Sequence, residues 1–296
     1  MERGVDFLTV GFWNIEKHNV VRPDPDNPNG YVMSESVAFI IETIERWYLS
    51  ADVDVIILAE VTESKGAGDL FARVVANRLN GLGGYQQTAA FNASFNWFPT
   101  AGGRVGVCNY ICIWNEAVPC LSGLGGRIRF VWNRDHTRPM VMLDAGIMRI
   151  GGLHAKAVIR DQASTEIIEA CLELGRHDQP AALIGDMNIP FGKMDVFDEG
   201  FLRGAGWEAV APGFAPTHVT RARDENKEYQ MGRGSVLDYV WRNPGISQCV
   251  AVSPMRGFQY QFWEVNDHAP ICYKLCRTAR DVRSGSTVPR RAPVPA

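Results

Sequence analysis

No apolar run in this chain approaches the ~18 residues that a membrane-spanning helix needs, so no such span is expected. The opening stretch "MERGVDFLTVGFWNIEKHN" also lacks the apolar core of about 7–15 residues and the small-residue cleavage site of a secretory signal. A cytoplasmic location is the expectation, and a non-classical route of secretion stays open. Paired cysteine spacing is missing too: the seven cysteines (108, 112, 120, 171, 249, 272, 276) give no zinc-site pattern. Their odd number, scattered through apolar segments, points to reduced thiols. There is no overall excess of positive charge, since the net charge is −3 and the pI about 6.1, although net charge says little about local fields. No internal repeat is evident, and no Pro/Gly-rich break divides the middle of the chain.

What is present is apolar material in short runs. Hydrophobic residues make up 46% of 296 positions, enough for a substantial core. Strand-like runs fall at 7–13, 53–59, 105–114, 139–144, 147–154, 181–186, 236–241 and 270–276. Several are apolar at every position, as in sheets covered on both faces. Helical spacing of apolar residues marks 34–49, 69–80 with a stop at Gly81, and 164–174 with Ser164 as N-cap and Gly175 beyond its end. The simplest architecture is an α/β domain of two packed sheets with outer helices over residues 1–277. A flexible basic tail rich in Pro, Arg and Ser follows over 278–296. Two long irregular stretches, 84–104 and 209–234, read as functional loops.

Polar residues recur where strand-like runs stop. "VGFWNIE" ends in Asn14 and Glu16, "VIILAE" in Glu60, "IGGLHAK" in His154, and "ALIGDMNIP" in Asp186 and Asn188. Asp238 interrupts "SVLDYV", and Asp267–His268 precede the last strand in "NDHAP". Taken singly, each has an ordinary reading as a turn, a cap or a core residue. Six of them at strand edges fit phosphoester hydrolysis assisted by a hard divalent cation. Mg²⁺ takes oxygen ligands, which suits Asn14, Glu60 and Asp267. Asp186 can activate a water, Asn188, His154 and His268 can stabilise charge on phosphoryl oxygens, and Asp238 can hold an imidazole in its working tautomer.

"FWNIE", "ILAEV", "LHA", "GDMN", "SVLDYV" and "NDHAP", in that order, resemble the endonuclease/exonuclease/phosphatase superfamily, whose best-known member is deoxyribonuclease I. The resemblance covers roughly residues 7–276. It implies a four-layer α/β sandwich, two packed mixed sheets flanked by helices, and a phosphoesterase dependent on Mg²⁺, with Mn²⁺ able to substitute. It also implies metal-site roles for Asn14, Glu60 and Asp267 with Glu16 as an outer acid, and catalytic roles for His154, Asp186, Asn188, Asp238 and His268. A finer similarity, through "GGRVGVCNYICIW", "TRPMVMLDAGIMRIGGLHAKA" and "APTHVT", is to the catalytic B subunit of cytolethal distending toxins. It implies phosphate contacts from Arg104, Asn109 and Arg138, whose alternative is that of surface residues beside strands. The chain departs from the family pattern at Ala59, where Gln is usual, and at Asn266, where Ser is usual. It also departs from the toxin subunits in lacking a signal peptide.

The loops bear on the substrate. Arg104, Arg127, Arg129, Arg134 and Arg138 face only Glu116 and Asp135 within residues 100–140, a local positive excess suited to a polyanion held through its phosphates. Trp132 and the aromatics of 91–98 can stack on bases, though covering the core is the expected role for most. DNA is the expected substrate, cut with weak sequence preference. The alternative is a phosphatase or phosphodiesterase acting on phosphoinositides or other small phosphoesters.

Overall fold

The computed structural model describes residues 7–16, 21–82, 90–97, 109–131, 138–157, 159–213, 215–223, 229–252 and 265–277. The elements run β1 (Phe7–Asn14), β2 (Arg22–Asp24), β3 (Asn27–Val32), α1 (Glu35–Ala51), β4 (Val55–Ala59), α2 (Lys65–Gly81), β5 (Phe91–Asn96) and β6 (Tyr110–Asn115). They continue with β7 (Ile128–Val131), β8 (Met140–Asp144), β9 (Arg149–His154), α3 (Arg160–Leu174), β10 (Ala181–Asp186), α4 (Val196–Gly204) and β11 (Glu208–Val210). The last are β12 (His218–Arg223), β13 (Tyr229–Ser235), β14 (Asp238–Arg242), β15 (Ile246–Ala251) and β16 (Ile271–Arg277).

Two six-stranded sheets result, ordered β15-β16-β1-β4-β6-β5 and β11-β14-β10-β9-β8-β7. Each holds one parallel pair, β1 with β4 and β9 with β10, beside antiparallel neighbours. Side-chain alternation explains why the strands are apolar throughout. On β4, Val55, Ile57 and Ala59 enter the core between the sheets while Ile56 and Leu58 meet the helix layer. On β10, Ala182 and Ile184 face the first sheet while Ala181 and Leu183 face α3. Helices α1 and α2 cover one outer face and α3 and α4 the other, which is the expected four-layer sandwich. Among the described residues no helix is long and apolar enough to cross a membrane.

The structure corrects several boundaries. Helix α3 begins at Arg160 with Ile159 at its N-cap, and Ser164 is buried within it rather than capping it. Ser164 is small enough to sit on the buried stripe with Ala163 and Ile167, and Asp161 supplies the negative charge that the first turn favours. The stretch 84–104 contains β5, whose Phe91 packs edge-on against Tyr48 at 4.8 Å. Trp97, 37% exposed, donates its indole N–H to the Glu63 carbonyl instead of standing clear as a platform. The stretch 209–234 contains the β12–β13 hairpin. Arg104, Arg134, Trp132, Phe98, Cys108 and the tail 278–296 lie outside the described residues. The cysteines that are described (112, 120, 171, 249, 272, 276) are all free, as expected.

Candidate active site

The core between the sheets ends in a polar rung. Along β10 the inward series Ala182, Ile184 is completed by Asp186, and along β1 the series Leu8, Val10, Phe12 is completed by Asn14. Register then brings side-chain neighbours together: Asp186 lies opposite His154 of β9 on one side and Asp238 of β14 on the other. The carboxyl ends of parallel strands and the amino ends of their antiparallel partners therefore share one edge, where α/β sheets bind ligands. Gly185 lets β9 approach closely, because a Cβ there would lie 1.9 Å from the Leu153 carbonyl oxygen.

Three of the expected residues sit just past strand ends with left-handed backbones: Glu16 (φ 50°), Glu60 (φ 53°) and Asn188 (φ 50°). For non-glycine residues that conformation costs on the order of 1 kcal/mol or more and is held only by its surroundings. At Asn188 the holding contacts are its N–H donating to Asp186 Oδ1 at 3.0 Å and its Nδ2 donating to the Ala155 carbonyl at 2.8 Å.

Asp186 is the hub. Its Oδ2 accepts from Asn14 Nδ2 at 3.2 Å and Asn188 Nδ2 at 3.3 Å, with His268 Nε2 at 3.5 Å and His154 Nε2 at 3.6 Å. Burial raises its pKa to about 6, with the His268 charge working against the rise. Asp238, also raised by burial, faces His268 Nδ1 at 2.9 Å. Burial works against charging His268, but the carboxylates of Asp238 and Asp186 outweigh it and push the imidazole up to about 10.

The second histidine is oriented differently. An arginine only donates, so the 2.8 Å contact between the Arg138 guanidinium and His154 Nε2 makes that nitrogen the acceptor and puts the proton on Nδ1. Nδ1 faces Glu60 Oε1 at 3.2 Å, close but not aligned as a hydrogen bond. Arg138 also donates to the Ala155 carbonyl, which Asn188 shares. The Asn109 amide is engaged at 2.7 Å with the Thr62 carbonyl, and Arg127 with the carbonyls of Cys120 and Ser122.

Around the oxygen donors, Glu16 Oε2 accepts the Asp267 N–H at 3.2 Å, and the Asn266 side chain bridges the Asn14 carbonyl and the His268 N–H. Asp267 Oδ1 is buried with no hydrogen-bond partner among the described residues. Carboxylates and an amide oxygen suit a hard divalent cation in type, and that unpartnered oxygen is a ready ligand. Two triples have their potential ligand atoms all within 4.8 Å of one another, Asp186–Asp238–His268 and His218–Asp267–His268, and Glu60 belongs to neither.

Several supports have no catalytic signature in the sequence. The Thr217 hydroxyl accepts the N–H groups of Leu237 and Asp238, each at 3.0 Å, and so fixes the start of β14. The Tyr110 hydroxyl accepts from the His154 N–H, and the Trp13 indole donates to the His268 carbonyl. The only signal for Thr217 and His218 was "APTHVT", a polar pair after a proline at the head of a strand.

No protein-family model matches the sequence, and no curated protein matches it. Solved structures do. Truncated TDP2 of Caenorhabditis elegans is 12% identical with a TM-score of 0.51, over 91% of this chain and 98% of that one. TDP2 from C. elegans is 12% identical with a TM-score of 0.50, over 91% of this chain and 75% of that one. An endonuclease/exonuclease/phosphatase family protein from Bacteroides thetaiotaomicron is 13% identical with a TM-score of 0.49, over 92% of this chain and 98% of that one. At such identity the two TDP2 chains speak for architecture alone. With two mixed sheets between helical layers, this chain has the four-layer α/β sandwich architecture of the two TDP2 chains.

Proposed function

We propose that this chain is a divalent-metal-dependent phosphodiesterase, and specifically a DNA endonuclease of weak sequence preference. The observation that carries the reading is the Asp186 carboxylate. It is buried between strand ends of both sheets, with two amide donors and two imidazoles converging on it. Held that way, Asp186 takes a proton from a water as the water oxygen bonds to phosphorus and the bond to the leaving strand breaks. A base raised to about 6 is still ionised at neutral pH and less weakly basic than an ordinary carboxylate. His268, oriented through Nδ1 by Asp238, presents its Nε2–H to a phosphoryl oxygen. Asn14 and Asn188 hold the Asp186 carboxylate in place through their amide N–H groups. On the other flank His154 holds Arg138 beside the site, and that guanidinium pairs with phosphate.

Asn14, Glu60 and Asp267, with Glu16 behind them, would hold a divalent cation, Mg²⁺ or Mn²⁺. Bound there it would neutralise the phosphate and the leaving oxygen. DNA is favoured over a small phosphoester by the arginines of 100–140, of which Arg129 is exposed on β7 and Arg138 lies in the site. The test is nicking of supercoiled plasmid with Mg²⁺, with and without EDTA, for wild type beside His154→Ala. Wild type is expected to nick only without EDTA, and His154→Ala, which releases Arg138, to be slower by about 10²-fold. Failure to nick, with hydrolysis of a phosphoinositide or another small phosphoester, would move the activity to that substrate class.

A further inference from the structure

The residue that the hydrolytic reading leaves without a task is His218. It opens β12, and its backbone is locked against the segment before β16. The Val219 N–H donates to the Asp267 carbonyl at 2.9 Å and the Ala269 N–H to the Thr217 carbonyl at 2.8 Å. These bonds flank the His218–His268 bridge, so the two histidines form a non-hydrogen-bonded antiparallel pair, the kind whose side chains stand closest. Their rings lie 4.7 Å apart at 54°. Between their outer nitrogens sits one carboxylate: Asp267 Oδ2 is 3.8 Å from His218 Nε2, and Oδ1 is 3.7 Å from His268 Nε2.

Those separations are too long for hydrogen bonds but near the edge of a metal's coordination polyhedron. With bonds of about 2.0–2.1 Å, tetrahedral ligands stand about 3.4 Å apart. Asp267 Oδ1 is the buried oxygen that no hydrogen bond engages among the described residues. His268 carries the outer support typical of a metal-binding imidazole, its Nδ1 turned to the Asp238 carboxylate so that Nε2 faces the cluster and releases its proton to solvent when a metal binds. Two imidazoles and a carboxylate form a borderline donor set that suits zinc, unlike the all-oxygen set suited to magnesium.

We propose that His218, Asp267 and His268 form a three-ligand Zn²⁺ site at the rim of the candidate active site, whose occupation takes Asp267 and His268 away from hydrolysis. The binding step stands without the hydrolase reading. The test uses the full chain stripped with EDTA and no substrate, so a failed nicking assay leaves it untouched, and its own failure leaves the nicking result untouched. Calorimetric titration with Zn²⁺ is expected to give one ion per chain in wild type and roughly tenfold or weaker affinity in His218→Ala. With Co²⁺ as a probe, wild type is expected to show ligand-field bands without thiolate charge transfer, and His218→Ala to lose them. Should His218→Ala fail to fold by circular dichroism, His218→Asn is read by the same criterion. Equal affinity in wild type and variant, no binding in wild type, or a thiolate-to-cobalt band placing the ion on cysteine would each overturn the site.

Discussion

An amide in place of Asp186 would keep the size of the side chain and reverse half of its contacts. Oδ2 accepts from Asn14 and Asn188, whereas in Asp186→Asn one position becomes an N–H set against two other amides. The variant is expected to fold and to lose activity by about 10²–10⁴-fold, the usual contribution of a positioned base. Asp238→Asn tests a different quality, since Asp238 is expected to act only through His268. The amide can still accept from Nδ1–H but no longer favours the imidazolium, so kcat should fall by about 10² or more while KM changes little. The ring's altered protonation should also appear in the His268 resonances on NMR titration. A fall in kcat without that change would mean that the residue serves the fold alone.

At the scale of single elements, β10 depends on a missing side chain. Gly185→Ala would drive a Cβ into the Leu153 carbonyl at 1.9 Å, a backbone atom of the paired strand, so the two strands must separate. The expected loss is about 3 kcal/mol or more, with activity falling too because Asp186 is the next residue. Gly200→Ala is the control: nothing lies within 4 Å of its Cβ, and inside α4 alanine should add roughly 0.5–1 kcal/mol. Thermal melts of both variants measure the difference. The sequence made β10 visible as a short apolar run, and made α1 visible by its spacing, while its N-cap, Ser34, came from the structure. It gave little sign of β5, β12 and β13. "FNASFN" and "HVTRAR" mix polar with apolar residues and have no uninterrupted apolar run to find.

The whole molecule joins its halves through charge as well as through apolar packing. His268 leads into a strand of the first sheet, while Asp186 and Asp238 belong to the second, and the three meet buried at the common edge. The acids, amides and histidines of this rung could be named from strand ends, because alternation forces the last inward residue of each strand toward the same place. Which of them touch could not be named: the Arg138–His154 contact and the His218–His268 bridge depend on strand order and register, which spacing along one chain does not contain. The charged junction has a consequence for stability. The folded state holds His268 at about 10, above an unfolded value near 6.5, so this contribution is complete below about 6.5 and is lost as pH rises through about 10. Asp186, at about 6 when folded against about 3.8 unfolded, acts in the same direction, since its buried charge costs stability as pH rises from about 4 to 6. In EDTA, urea midpoints should therefore decline between pH 6.5 and 10, and His268→Gln should remove most of that decline while lowering the midpoint at pH 6.5. A wild-type midpoint flat across this range would show that the imidazole is not held charged between the two sheets.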